Sequence, residues 1–130
     1  MSIHKPYIQI AAILGALSVA LGAFAAHGLK ERVSADALQI FETGVRYQFY
    51  HVFALAVTGT VFSFANQKLI KLAGIFFILG IILFSGSLYA LTFAVNAGNT
   101  GFEKIGIVTP FGGVCFIAGW LLLAFSLAKK

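Results

Sequence analysis

The sequence predicts an all-α, polytopic membrane protein: a four-transmembrane-helix bundle with an interfacial amphipathic segment before the second span. Composition is the first reason. Of 130 residues, 60% are hydrophobic and 10% charged, against about a quarter charged in soluble domains. Mean hydropathy is +0.97, more apolar surface than a soluble chain of this length can hide. The second reason is spacing: apolar runs long enough to cross hydrocarbon alternate with short connections that carry bases. The third is one stretch, Phe41 to His51, that gathers polar side chains on one half of a helical wheel. The whole chain, 1–130, reads as a single four-helix transmembrane domain. Its spans fall at about 7–26, 47–65, 72–95 and 109–128.

Pro6 suits the first turn of the first helix, and Tyr7 to Ala26 supplies a nearly uncharged run. The run is long for a signal peptide and further spans follow, so it reads as a retained span. Ala11, Gly15, Ser18, Gly22 and Ala25 recur at spacings of four and three. That is the seam of a closely packed left-handed helix pair. Gly28 can end the helix.

Ser34 reads as an N-cap, with Asp36 in the first turn. One unbroken helix from Ala35 to Ala65 would be about 46 Å long, against about 30 Å of hydrocarbon. Ala35 to about Gly44 is therefore expected in the interface, with Gly44 as the bend. Asn66 to Lys71 reads as a tight turn, and Leu72 to Val95 as the third span. Asn96 to Gly106, rich in Gly and Asn, reads as a mobile loop. Thr109-Pro110 resembles an N-cap followed by proline at the first helical position, and Lys129-Lys130 ends the chain among headgroups.

Four spans put both termini on one side. That side carries Lys5, Lys68, Lys71, Lys129 and Lys130, while the other carries Lys30, Arg32, Arg46 and Lys104. The margin is thin and favours cytoplasmic termini. The bases sit singly or in pairs between apolar runs, the pattern of membrane anchors and not of a nucleic-acid surface. Cys115 sits among apolar neighbours and reads as a small buried residue.

The topology makes a geometric prediction. His27, Glu42, Arg46, Tyr47, Tyr50, His51, Tyr89, Asn96 and Thr109 should gather near the membrane face away from the termini, with Ser85 and Ser87 deeper. Glu42 and Arg46, four apart with the acid first, are placed to form a helical ion pair. The expectation is a polar pocket open from that side, binding a lipid headgroup, a small ligand or a partner. The competing structural reading has the same residues satisfying one another.

Three scattered histidines lack the paired spacing of a metal site, so no metal or cofactor is expected. A pair formed by His51 with Ser85 or Ser87 is the one arrangement suggesting a membrane hydrolase, and the serines lack a glycine-flanked nucleophile turn. No glycine-rich phosphate loop is present. Tyr7 to Ala26 carries no acid, which argues against a small multidrug exporter.

Four ordered motifs carry a resemblance. They are Gly22-Ala23-Phe24-Ala25-Ala26-His27-Gly28-Leu29-Lys30; Phe41 to His51; Phe84 to Tyr89; and Thr109-Pro110-Phe111-Gly112-Gly113 with Ala118-Gly119-Trp120. Over essentially its whole length the chain resembles the small bacterial membrane proteins of the domain-of-unknown-function family numbered 423, to which animal transmembrane protein 256 is related. Ala25 departs from the glycine often found there. The resemblance implies a four-span protein of the bacterial plasma (inner) membrane. It implies no activity, substrate or cofactor, and so no catalytic residues. Sequence reasoning thus favours a non-enzymatic membrane module whose partners are membrane lipid and a second copy docked through small-residue seams. The alternative is an oligomeric channel or proton-coupled transporter lined by Glu42, Arg46 and His51.

Overall fold

The computed structural model describes residues 2–98 and 102–128. Among them are four helices and no strand. The first, α1 (Lys5–Leu29), starts with Nδ1 of His4 accepting from the Tyr7 amide at 3.4 Å, and Pro6 lies in its first turn. It does not stop at Gly28. Its last five residues, Ala25–Leu29, widen into a π-helix. The second, α2 (Ala35–Thr60), is capped by Ser34, whose Oγ accepts from the Ala37 amide at 3.2 Å.

Helix α2 runs without a break through Gly44. Gly44 serves another purpose. A Cβ there would lie 2.8 Å from the Tyr89 ring, so the missing side chain lets α2 close onto the third helix. The helix also ends earlier than expected, at Thr60, followed by a 3-10 turn over Phe62–Phe64.

The third helix, α3 (Gln67–Asn96), starts at Asn66, whose Oδ1 accepts from the Lys68 and Leu69 amides, each at 3.1 Å. Lys68 and Lys71 therefore lie in its first turns and not in a loop. A π-helical segment at Ile81–Ser85 divides it. The fourth, α4 (Phe102–Leu127), carries Pro110 in its interior. This corrects the expected start at Thr109-Pro110: α4 is already helical before them. Proline inside a membrane helix is tolerated where the freed carbonyl finds accommodation. Here that carbonyl belongs to Gly106. Of the expected loop from Asn96 to Gly106, Asn96 and Phe102 to Gly106 are helical, and Gly98 takes φ +66°. Residues 99–101 and the terminal Lys129-Lys130 anchors lie outside the described residues.

The most extensive packing is of α1 on α2 and of α3 on α4, and the end of α3 closes on α2. The predicted α1 seam forms. Ala11, Ser18 and Ala25 are buried, and Gly15 and Gly22 face Val52 and Val45 of α2. Gly112 and Gly119 of α4 meet Phe84 and Phe77 of α3 in the same way. Helix α2 supplies residues to each apolar cluster: Ala54 beside Phe77 and Leu123, Val52 and Leu55 beside Tyr7, and Phe41 beside Leu29.

Three helices, α1, α3 and α4, are long and apolar enough to cross a membrane. They turn Ile13, Ile82, Phe111, Val114 and Phe125 outward. Helix α2 falls outside that group because Arg46, Gln48 and His51 lower its hydropathy.

Candidate functional site

The eleven residues expected in one pocket are divided among several places. Ser85 and Tyr89 belong to a closed network between α1, α2 and α3. Tyr89 donates its hydroxyl to Oε1 of Gln48 at 2.7 Å, and Gln48 Nε2 donates to the Leu14 carbonyl at 3.2 Å. Ser18 Oγ donates to that same carbonyl at 2.7 Å. Ser85 Oγ donates to the Gly44 carbonyl at 2.7 Å. Gln48 is 2% exposed, and sequence reasoning missed it. On a wheel it falls between the polar and apolar halves, and only its partners reveal its role.

Ser87 and Thr109 join α3 to α4, hydroxyl to hydroxyl, at 2.6 Å. Asn96 holds the connection between α1 and α2. Its Oδ1 accepts from the Ser34 amide at 3.1 Å, and its Nδ2 donates to the Arg32 carbonyl at 3.4 Å. His27 lies exposed in the π-helical end of α1. Glu42 and Arg46 are exposed beside Gly22 and Ala25 of α1. Among the described residues no ion pair closes between them, contrary to the expectation from their spacing.

Tyr47, Tyr50 and His51 form the remaining group and line an open groove between α2 and α4 with a cavity volume of about 540 Å³. Its other walls are Phe84, Gly113, Phe116, Ile117 and Trp120. The π-helical segment of α3 delivers Phe84, which packs against Tyr47 with ring centroids 4.7 Å apart. His51 is 5% exposed and lies flat on Phe116, with centroids 3.5 Å apart and planes 8° from parallel. Its Nδ1 is 2.7 Å from the Tyr47 carbonyl, and its Nε2 is 3.1 Å from the Trp120 indole nitrogen. A carbonyl can only accept and an indole N–H can only donate. The ring therefore carries its proton on Nδ1 and its lone pair on Nε2.

His51 lies far from Thr109. Its partner Trp120 is about 16 Å of helix rise from that residue. Among the described residues no serine or acid is a hydrogen-bond partner of His51. The groove thus has an aromatic floor, a histidine with both nitrogens engaged, and tyrosines at its edge. It has the shape and lining to sequester an apolar chain.

A family model described as "Protein of unknown function (DUF423)" matches residues 21–113. The chain belongs to that family. The matched region contains all eleven expected site residues and stops short of Trp120. The UPF0382 membrane protein of Haemophilus influenzae is 41% identical, covering 95% of this chain and 94% of its own length. The UPF0382 membrane protein YwdK of Bacillus subtilis is 38% identical over 96% of this chain and 98% of its own length. The UPF0382 inner membrane protein YgdD of Escherichia coli is 40% identical over 92% and 89%. No solved structure matches. The DUF423 chain is accordingly a membrane protein whose relatives carry no activity in their names.

Proposed function

We propose that this DUF423 protein is a non-enzymatic, four-span module of the bacterial inner membrane that holds the apolar chain of a lipid or small hydrophobic ligand between α2 and α4. The observation that carries the reading is the Tyr47–Trp120 groove: about 540 Å³, open, and lined mostly by aromatic rings. Pockets for small molecules are mostly apolar with a few placed polar groups. The half-exposed Tyr47 and Tyr50 hydroxyls supply such groups at the edge.

Helix α2 is the fourth span in this reading. Its 26 residues give about 39 Å, longer than the hydrocarbon. Its polar residues are compatible with crossing because the core, and not lipid, surrounds Gln48 and His51. The first turns of α2 then stand in the interface, and both termini lie on the cytoplasmic side. A channel gains little support. Gln48, Ser85 and Tyr89 bond across helices, Ser18 bonds within α1, and among the described residues no buried side-chain nitrogen or oxygen lacks a partner. The small-residue seams pack inside the chain, so a second copy would have to use other faces.

Gly113 provides the test. A Cβ there has Phe84 as its nearest neighbour, at 3.9 Å, so Gly113→Phe should fill the groove without disturbing the helices. Native mass spectrometry from mild detergent should show one hydrophobic adduct fewer on the variant than on the wild type. Equal adducts on both would end the groove reading.

A further inference from the structure

A second feature of α2 lies on a different face from the groove. Glu42, Arg46, Phe49 and Phe53 follow one another at spacings of four, three and four, which puts them on one stripe. Glu42 and Arg46 are exposed and Phe53 is 62% exposed. The Phe49 and Phe53 rings stack with centroids 5.5 Å apart. Beside the two charges is a shallow recess of about 370 Å³ lined by Gly22, Ala25 and Val45. Gly22 and Ala25 keep the α1 wall low.

These charges need an external partner. An arginine among acyl tails costs at least about 2.5–3.5 kcal/mol. Arg46 is next to Val45, which faces Gly22, about 10 Å of rise inside the Leu29 end of α1. It can reach outward to the headgroup level. Its neighbour Glu42 is available as an ion-pair partner and is not used.

The order along α2 narrows the choice. Inward from Ser34 come an acid, a base, and then two aromatic rings. A phospholipid in the same leaflet presents its amine outermost, then its phosphate, then its acyl chains. We infer that Glu42, Arg46, Phe49 and Phe53 form a site for a zwitterionic aminophospholipid. The ammonium is at Glu42, the phosphate at Arg46, one acyl chain lies along Phe49 and Phe53, and the headgroup sits in the recess against Gly22 and Ala25. One helical turn, about 5.4 Å, is comparable with the span of an ethanolamine bridge between phosphate and amine. An anionic headgroup without an amine would satisfy Arg46 and leave its outer part against the Glu42 carboxylate. The inference rests on the reading of α2 as a membrane span and is independent of the α2–α4 groove.

The test uses the full chain in mild detergent, titrated with phosphatidylethanolamine or phosphatidylglycerol and read by native mass spectrometry. The wild type should prefer phosphatidylethanolamine by about tenfold, a difference of about 1.4 kcal/mol. Arg46→Gln should weaken retention of both lipids, and Glu42→Gln should erase the preference between them. The exchange of both charges, Glu42→Arg with Arg46→Glu, reverses their order and should abolish the preference. Equal binding of both lipids by the wild type, or an unchanged preference in the exchanged variant, would overturn the inference. A dimer lost in Glu42→Arg and restored in the exchanged variant would overturn it in favour of a second copy, since a two-fold pairing is indifferent to the order. Should the exchanged variant not fold, the two glutamine variants decide alone. Gly113→Phe should leave the lipid preference intact, so failure here and failure of the groove reading are separate results.

Discussion

Trp120 of α4 donates its indole N–H to Nε2 of His51 on α2 across 3.1 Å, while Nδ1 of the same ring faces the Tyr47 carbonyl at 2.7 Å. This fixes the tautomer and ties α2 to α4. The nitrogen NMR spectrum of the imidazole should show a protonated Nδ1 and an unprotonated Nε2. Trp120→Phe keeps an aromatic wall and leaves Nε2 without a donor. In water-soluble proteins such a buried orphan costs about 1–3 kcal/mol, whereas hydrogen bonds inside membranes average about 0.6 kcal/mol. His51 lies in the protein core, so we expect a loss of about 1 kcal/mol, read from unfolding in detergent. An NMR spectrum showing the proton on Nε2 would contradict the assignment.

The Tyr89–Gln48–Leu14 chain makes a second prediction. Tyr89→Phe leaves Oε1 of Gln48 unpaired in the interior. Gln48→Leu removes the acceptor of the Tyr89 hydroxyl and one of two side-chain donors to the Leu14 carbonyl, which Ser18 still serves. Each single change should destabilise by about 1 kcal/mol. The double variant should lose less than the sum, because neither partner is then stranded. Strict additivity in the thermal melts would show that the two residues do not act together.

Glycine contacts separate three positions that look alike in the sequence. A Cβ at Gly112 would lie 2.7 Å from Cα of Phe84, and backbone cannot rotate away. At Gly44 the obstacle is the Tyr89 ring at 2.8 Å, which can shift slightly. At Gly86 nothing lies within 4 Å. We expect Gly112→Ala to cost about 2–3 kcal/mol and Gly44→Ala about 1–2 kcal/mol. Gly86→Ala should be neutral or stabilising by up to about 1 kcal/mol through helix propensity. Melting temperatures in one detergent would give the order, and a destabilised Gly86→Ala would contradict the contact picture.

Those glycines also show where the sequence is legible. The Ala11–Gly15–Ser18–Gly22–Ala25 seam could be read because small residues at a helical period have few other uses, and it packs on α2 as expected. Ser34 could be read as a cap because capping is a local interaction. Gly44 was ambiguous: bending and close approach both call for glycine, and only the position of Tyr89 decides between them. Pro110 misled because a first-turn proline and an interior proline look alike when the preceding segment is polar. The eleven residues are divided among several places for a geometric reason. Helix α2 alone carries Glu42, Arg46, Tyr47, Tyr50 and His51, and a helix distributes such residues around its axis and along its length. Glu42 and Arg46 face outward beside α1, while His51 faces α4.

The number of crossings gives the last prediction. If α2 spans, both termini and Lys68 share one side while Asp36 and Ala97 share the other. If α2 lies along one surface, Asp36 and Lys68 share a side and the termini are separated. Physical argument favours the first arrangement. Helix α2 touches α1 and α3 along its length and contributes to every core cluster. Pulling it out would strand Gln48 and His51, whose side-chain partners lie on α1, α3 and α4. The sole cysteine, Cys115, is half-buried, so Cys115→Ala should give a folded background. Single cysteines introduced by Ser2→Cys, Asp36→Cys, Lys68→Cys and Ala97→Cys can then be labelled in intact cells with an impermeant maleimide. Asp36→Cys and Ala97→Cys should react, and Ser2→Cys and Lys68→Cys should react only after the membrane is opened. Asp36→Cys and Lys68→Cys reacting alike would show that α2 does not cross.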